Sequence, residues 1–162
     1  ASLSLDLLNY AAKEIGFTDA AYMDTILKKN LNVPQIAYVI ALNKPGRAYA
    51  VMDNTYDDND AIEFLVAFSQ DEKGNDSIGS SVLHELLHLF GATDLYDDGG
   101  GYTKRYELCK ELYPNDIMMR SSTDIKKLEI GYLTEALIGW SEFFPAECDC
   151  PEWWEKSEEV SE

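Results

Sequence analysis

Positive charge is scarce in this chain. Thirteen lysines and arginines stand against thirty aspartates and glutamates, a formal net charge of −17 over 162 residues. Phosphate backbones demand a basic footprint, so nucleic acid is excluded as a partner class, and anionic membrane surfaces are disfavoured for the same reason. Long apolar runs are also missing, and no stretch reaches the length of a membrane span. Cysteine is rare. Cys109, Cys148 and Cys150 are too few for a disulfide scaffold, and an odd number leaves at least one thiol free or engaged between chains. A bridge from Cys109 to one of the tail pair and a fully reduced chain both fit the count. The segment Ala1–Asp6 has neither an initiator methionine nor a basic n-region, so it does not read as an intact signal peptide. A processed chain in an extracellular or cell-envelope location is the expectation. Against these shortages, hydrophobic residues make up 46% of the chain, enough for a real core and too many for wholesale disorder.

Histidine is scarce too, with two in the chain, and they sit four residues apart. The stretch is His84-Glu85-Leu86-Leu87-His88-Leu89-Phe90-Gly91-Ala92-Thr93-Asp94, which opens with the H-E-x-x-H zinc-peptidase pattern. On a helix, positions i and i+4 share a face, so both imidazoles can reach one metal ion. Glu85 then places a carboxylate beside a metal-bound water rather than on the metal. Gly91 permits a sharp turn that swings Asp94 back as third ligand. Two imidazoles and one carboxylate leave a fourth position for water, as a catalytic site requires. The alternative, a solvated helix with incidental histidines, conflicts with the apolar flanks Val82, Leu83, Leu86, Leu87, Leu89 and Phe90. A buried helix carrying two histidines and a glutamate must give them partners. A rival third ligand is Glu107, nineteen residues past His88, at gluzincin-like spacing. The adjacent Gly91 and Asp94 favour Asp94.

The pattern resembles the metzincin signature H-E-x-x-H-x-x-G-x-x-H, with Asp94 in place of the last histidine. That variant looks like the snapalysin-type metzincins. The run Gly91 to Asp97 is similar to the immune inhibitor A type of secreted metallopeptidase. The resemblance covers roughly residues 77–120. It implies a methionine turn beneath the metal, matched by Pro114-Asn115-Asp116-Ile117-Met118-Met119, with Met118 preferred over Met119 as the floor. Many metzincins place a tyrosine two residues after that methionine; here the position is Arg120.

Periodicity organises the rest. Leu5–Ile15 reads as a helix, which Gly16 ends, and Ala20–Leu31 as a second short helical segment or an irregular one. Gln35–Leu42, with its β formers Ile36, Tyr38, Val39 and Ile40, Arg47–Met52 and Ile62–Phe68 read as strands. Asn43-Lys44-Pro45-Gly46 signals a turn. Ser77, Ser80 or Ser81 is placed to cap the motif helix, which should end near Phe90. Tyr106–Tyr113 suggests a further helix, and Asp124–Trp140 one or two helical segments broken near Gly131. The expected fold is a single α+β domain over 1–162. Residues 1–91 form an N-terminal lobe with a twisted mixed sheet, a backing helix and the motif helix, and 92–162 form a small helical C-terminal lobe. The resemblance implies the same two-lobed layout with the metal in the cleft between lobes.

The acidic clusters Asp53, Asp57, Asp58, Asp60 and Asp97, Asp98 offer oxygen ligands for Ca²⁺, but neither has full calcium-loop spacing, so solvated loops are the expectation. Cys148-Asp149-Cys150 could offer a thiolate to a latent site, though a local or absent disulfide is simpler. Trp153 and Trp154 read as anchors for an acidic tail. The expected function is zinc-dependent endopeptidase activity of a monomer on peptide or protein substrates. Glu85 serves as general base, and an extended substrate adds to an exposed strand, either Arg47–Met52 or Ile62–Phe68. The alternatives are a non-cleaving binding module of the same fold and a zinc amidase or deacylase acting on a small substrate.

Overall fold

The computed structural model describes residues 3–52, 62–97 and 103–148. Within them lie five α-helices and one mixed three-stranded sheet, an α+β arrangement.

Two helices open the chain, α1 (Leu3–Glu14) and α2 (Ala20–Leu31). Leu8 and Ala12 on α1 are buried against Ala20 and Met23 on α2. The join between them is hydrogen-bonded rather than loose. Asp19 caps α2 by accepting from the Tyr22 N–H at 2.8 Å, and Asn9 accepts from the Ala20 N–H at 2.9 Å.

Three strands follow, β1 (Tyr38–Pro45), β2 (Tyr49–Val51) and β3 (Phe64–Gln70). Their order is β1-β3-β2, with β1 parallel and β2 antiparallel to β3. The central strand is buried on both faces, from Phe64 through Ala67. Side chains alternate along a strand. Phe64 and Val66 join the α1–α2 core, so Leu65 and Ala67 face the opposite side, where the motif helix packs. This position corrects one expectation. Ile62–Phe68 cannot offer a free edge, because β3 is paired on both sides. Among the described residues, the open edge beside the motif helix belongs to β2. The expected turn at Asn43–Gly46 also shifts. β1 continues through Pro45, which an outer strand tolerates because its missing N–H costs no ladder bond, and the register shifts between Leu42 and Pro45.

The motif helix α3 spans Ile78–Leu89, with Ser77 at the capping position but without a side-chain cap bond. After it come α4 (Thr103–Leu112), a 3-10 turn at Ile125–Lys127, α5 (Tyr132–Leu137) and a 3-10 turn at Ala146–Cys148. The region expected to be helical from Asp124 is mostly not, for a backbone reason. Glu129 bridges to the 115–117 segment, accepting from the Ile117 N–H and donating to the Asn115 carbonyl, so the chain there is extended. Helix resumes after Gly131. A second core gathers Leu87, Ala92, Leu95, Cys109, Ile117, Met118, Leu133 and Cys148. Cys109 and Cys148 are buried, and no disulfide joins them. Cys150, Trp153, Trp154 and the aspartates at 53, 57, 58, 60 and 98 lie outside the described residues.

Candidate metal centre

The amphipathic face of α3 sets the site. His84 and His88 stand one turn apart with ring centroids 4.8 Å from each other. The helix then stops in a Schellman turn. Gly91 adopts φ +97°, a left-handed conformation that only glycine takes freely, while its N–H bonds to the His88 carbonyl and the Ala92 N–H to that of Leu87. This reversal carries the chain back over the helix end and delivers Asp94 to the histidines. Asp94 Oδ1 lies 3.1 Å from His84 Nε2 and 3.3 Å from His88 Nε2.

The far nitrogen of each imidazole is engaged. His88 Nδ1 meets the Ala92 carbonyl at 2.8 Å, and His84 Nδ1 meets the Ile117 carbonyl at 2.9 Å. A carbonyl can only accept, so both Nδ1 atoms carry the hydrogen, and in the neutral rings each Nε2 presents a lone pair. Asp94 Oδ1 is itself buried without a hydrogen-bond partner. Three electron-pair donors therefore converge. One proton would relieve one contact and leave the other; two would set imidazolium rings side by side. A single cation satisfies all three atoms at once, and His84, His88 and Asp94 form the group, among the described residues, able to hold a metal ion. Glu107 is exposed on α4 and is not part of it.

Without a cation, the carboxylate instead draws a proton onto the His88 ring. Burial pushes the Asp94 carboxyl up, but the two imidazoles outweigh it and hold the group well below the usual carboxylate range. Burial would lower His88, yet bonding to Asp94 and Ala92, together with the negative charges of Asp94 and Glu85, raises it. Glu85 is buried beside the histidines and outside the ligand group. Burial raises its carboxyl above the ordinary value, opposed by the two imidazoles and by the Ala50 N–H, which donates to it from β2. A carboxylate displaced toward neutrality is suited to taking and returning a proton.

These groups floor an open cleft of about 1200 Å³. Residues 46–50 and Met52, from the β2 edge, form one wall, and Ile117 with residues 119–123 forms the other. Met119 lines the cleft; Met118 is fully buried behind it in the second core, and its carbonyl accepts from the Leu95 N–H at 2.9 Å. Arg120 is exposed on the cleft wall. Tyr96 goes unnoticed in sequence reasoning. Its ring stacks over His84 with centroids 6.2 Å apart and planes at 26°, and burial with the Asp94 charge lifts its phenol to about 12. Its place two residues after Asp94 was the available signal, but an aromatic there reads equally well as core.

No family model, curated protein or solved structure matches the chain.

Proposed function

We propose that this protein is a zinc-dependent endopeptidase of metzincin type with aspartate as third ligand. The observation that carries the reading is the convergence of His84 Nε2, His88 Nε2 and the partnerless Asp94 Oδ1. Zinc bonds of about 2.0–2.2 Å in tetrahedral geometry separate neighbouring ligand atoms by about 3.3 Å, which supports zinc at spacings of 3.1 and 3.3 Å. The donor set of two neutral imidazoles and one carboxylate is also one that zinc favours and that leaves a position open.

A zinc ion held there would supply a Lewis acid that acidifies water and polarises a scissile carbonyl. The chain supplies the rest. Glu85 accepts the proton of the attacking water and passes it to the departing amine. The Ala50 N–H that steadies Glu85 belongs to the β2 edge, so substrate docking and base positioning share one strand. An extended peptide adding to that edge would lie across the cleft. Met118 forms the apolar floor behind the ligands. The buried, hydrogen-bonded Glu85 favours turnover over a binding-only role, since a structural zinc has no use for a base. The open cleft favours a peptide over a small amide.

Metal content and peptide cleavage test the reading together. The purified protein should hold one zinc and cleave casein or a peptide library, and a chelator should abolish cleavage. His88→Ala should lose the metal. Stoichiometric zinc in that variant would refute the ligand set, and a zinc-loaded protein without cleavage would refute the peptidase.

A further inference from the structure

We propose that Asp116 is a positioning residue that fixes the aim and tautomer of His84, an inference that rests on the metal-site reading above. Asp116 is completely buried, and its carboxylate accepts three hydrogen bonds. Oδ1 takes the Met118 N–H at 2.7 Å. Oδ2 takes the Gly131 N–H and the Thr134 hydroxyl, each at 2.8 Å. The side chain thus ties the turn under the site to the first turn of α5.

The first of these bonds bears on the metal. The Met118 N–H and the Ile117 carbonyl belong to one peptide unit, and that unit is planar and trans. Its N–H and C=O therefore point in opposite directions. Asp116 grips the N–H end at 2.7 Å, and His84 Nδ1 donates to the C=O end at 2.9 Å. Holding one end of a rigid plane aims the other. The carbonyl held in this way accepts the Nδ1 hydrogen and so keeps the Nε2 lone pair turned to the metal position. Partners behind a ligating histidine that set its tautomer typically change metal affinity tenfold to a hundredfold when lost. His88 owes nothing to this device, because its carbonyl comes from Ala92 on the adjacent turn.

Gly131 belongs to the same construction. A Cβ there would sit 2.7 Å from Asp116 Oδ2, so the closeness of α5 to the carboxylate requires glycine. Asparagine at 116 cannot replace the carboxylate. It has one acceptor oxygen, and the two donors on the Oδ2 side hold it. Its NH₂ then faces the Met118 N–H, donor against donor.

The test uses the fact that the chain has two histidines, one of them an internal control. Long-range ¹H–¹⁵N correlation spectra of the metal-free full chain at alkaline pH report each imidazole tautomer. In the wild type both rings should carry the hydrogen on Nδ1. In Asp116→Asn the His84 ring should shift toward a mixture while His88 stays, and zinc affinity, measured by competition with a chromophoric chelator, should fall by roughly tenfold to a hundredfold. Thr134→Val, which removes one donor and leaves the carboxylate, should give the same His84-specific change at smaller size, and decides the matter if Asp116→Asn does not fold. An unchanged His84, or equal change at both rings, overturns the proposal. If the wild type takes up no zinc while His84 still follows Asp116, the metal reading falls and the positioning role stands. If zinc binds and His84 ignores the substitution, the positioning role falls and the metal reading stands.

Discussion

The two histidines of this site look equivalent in sequence and are built by different means. His88 finds its backbone acceptor four residues along the chain, in the turn that Gly91 permits. His84 finds its acceptor thirty-three residues away, on a peptide unit whose N–H is held by Asp116, which the start of α5 holds in turn. One end of the site is local and self-assembling. The other depends on the packing of the whole C-terminal region. A motif can therefore be complete in sequence while half of its orientation lies elsewhere.

The largest expected effect leaves both ends intact and removes the chemistry between them. Glu85→Gln should retain zinc and both tautomers, because the amide nearly preserves shape. Turnover should fall roughly a hundredfold to ten-thousandfold, since the amide cannot take a proton at neutral pH. Near-normal kcat with zinc bound would show that Glu85 is not the base.

The distant end can be loosened from beneath. Met118 is fully buried in the core that supports the 115–119 turn. Met118→Ala should cost about 2–5 kcal/mol in denaturant unfolding, the usual range for emptying a packed site. Met118→Leu should be mild, and Met119→Ala, at the cleft wall, should cost less than Met118→Ala. A larger loss at 119 would place the floor under the wrong methionine.

The local end has its own weak point. An alanine at 91 would meet the Leu137 carbonyl at an ordinary 3.6 Å, so its cost is conformational, from the left-handed φ of +97°. Gly91→Ala should lower stability by about 1–2 kcal/mol. In the metal-free protein it should disturb His88 before His84. The reverse order of disturbance would break the division between the two ends.

The last effect appears only at alkaline pH and lies in the C-terminal core. Burial, and after it the neighbouring Cys148, lifts the Cys109 thiol from 9.0 to about 12. The folded thiol keeps its proton where the unfolded one loses it. Its contribution is complete below about pH 9 and should drain away as pH rises toward 12. Urea midpoints of the wild type and Cys109→Ala across that window should converge. Native Cys109 should also resist thiol reagents that label it in the unfolded chain. Ready labelling of the folded protein would show that the core behind His84's support is open.

Most elements upstream of α3 were legible because their signals are local, as in the apolar spacing of Leu5, Leu8 and Ala12. The group of His84, His88 and Asp94 was legible for the same reason, all three falling within eleven residues of helix and turn. Strand order was not legible. Arg47–Met52 and Ile62–Phe68 look alike as strands, and only the pairing of β3 on both sides separates a centre from an edge. Asp116 was hidden by its type. An acidic residue between Asn115 and Ile117 reads as a solvated turn, and its three donors come from residues 118, 131 and 134, which no local pattern connects.

The peptide unit between Ile117 and Met118 has a consequence for portability. A grafted segment covering residues 77–97 would carry every ligand, the base, the glycine turn and the tyrosine. Placed in a foreign scaffold, it would bring a finished socket for one histidine and a free-swivelling ring for the other. What must travel with the helix is a second, discontinuous fragment, from Tyr113 to Thr134, which reaches His84 through the Ile117 carbonyl oxygen.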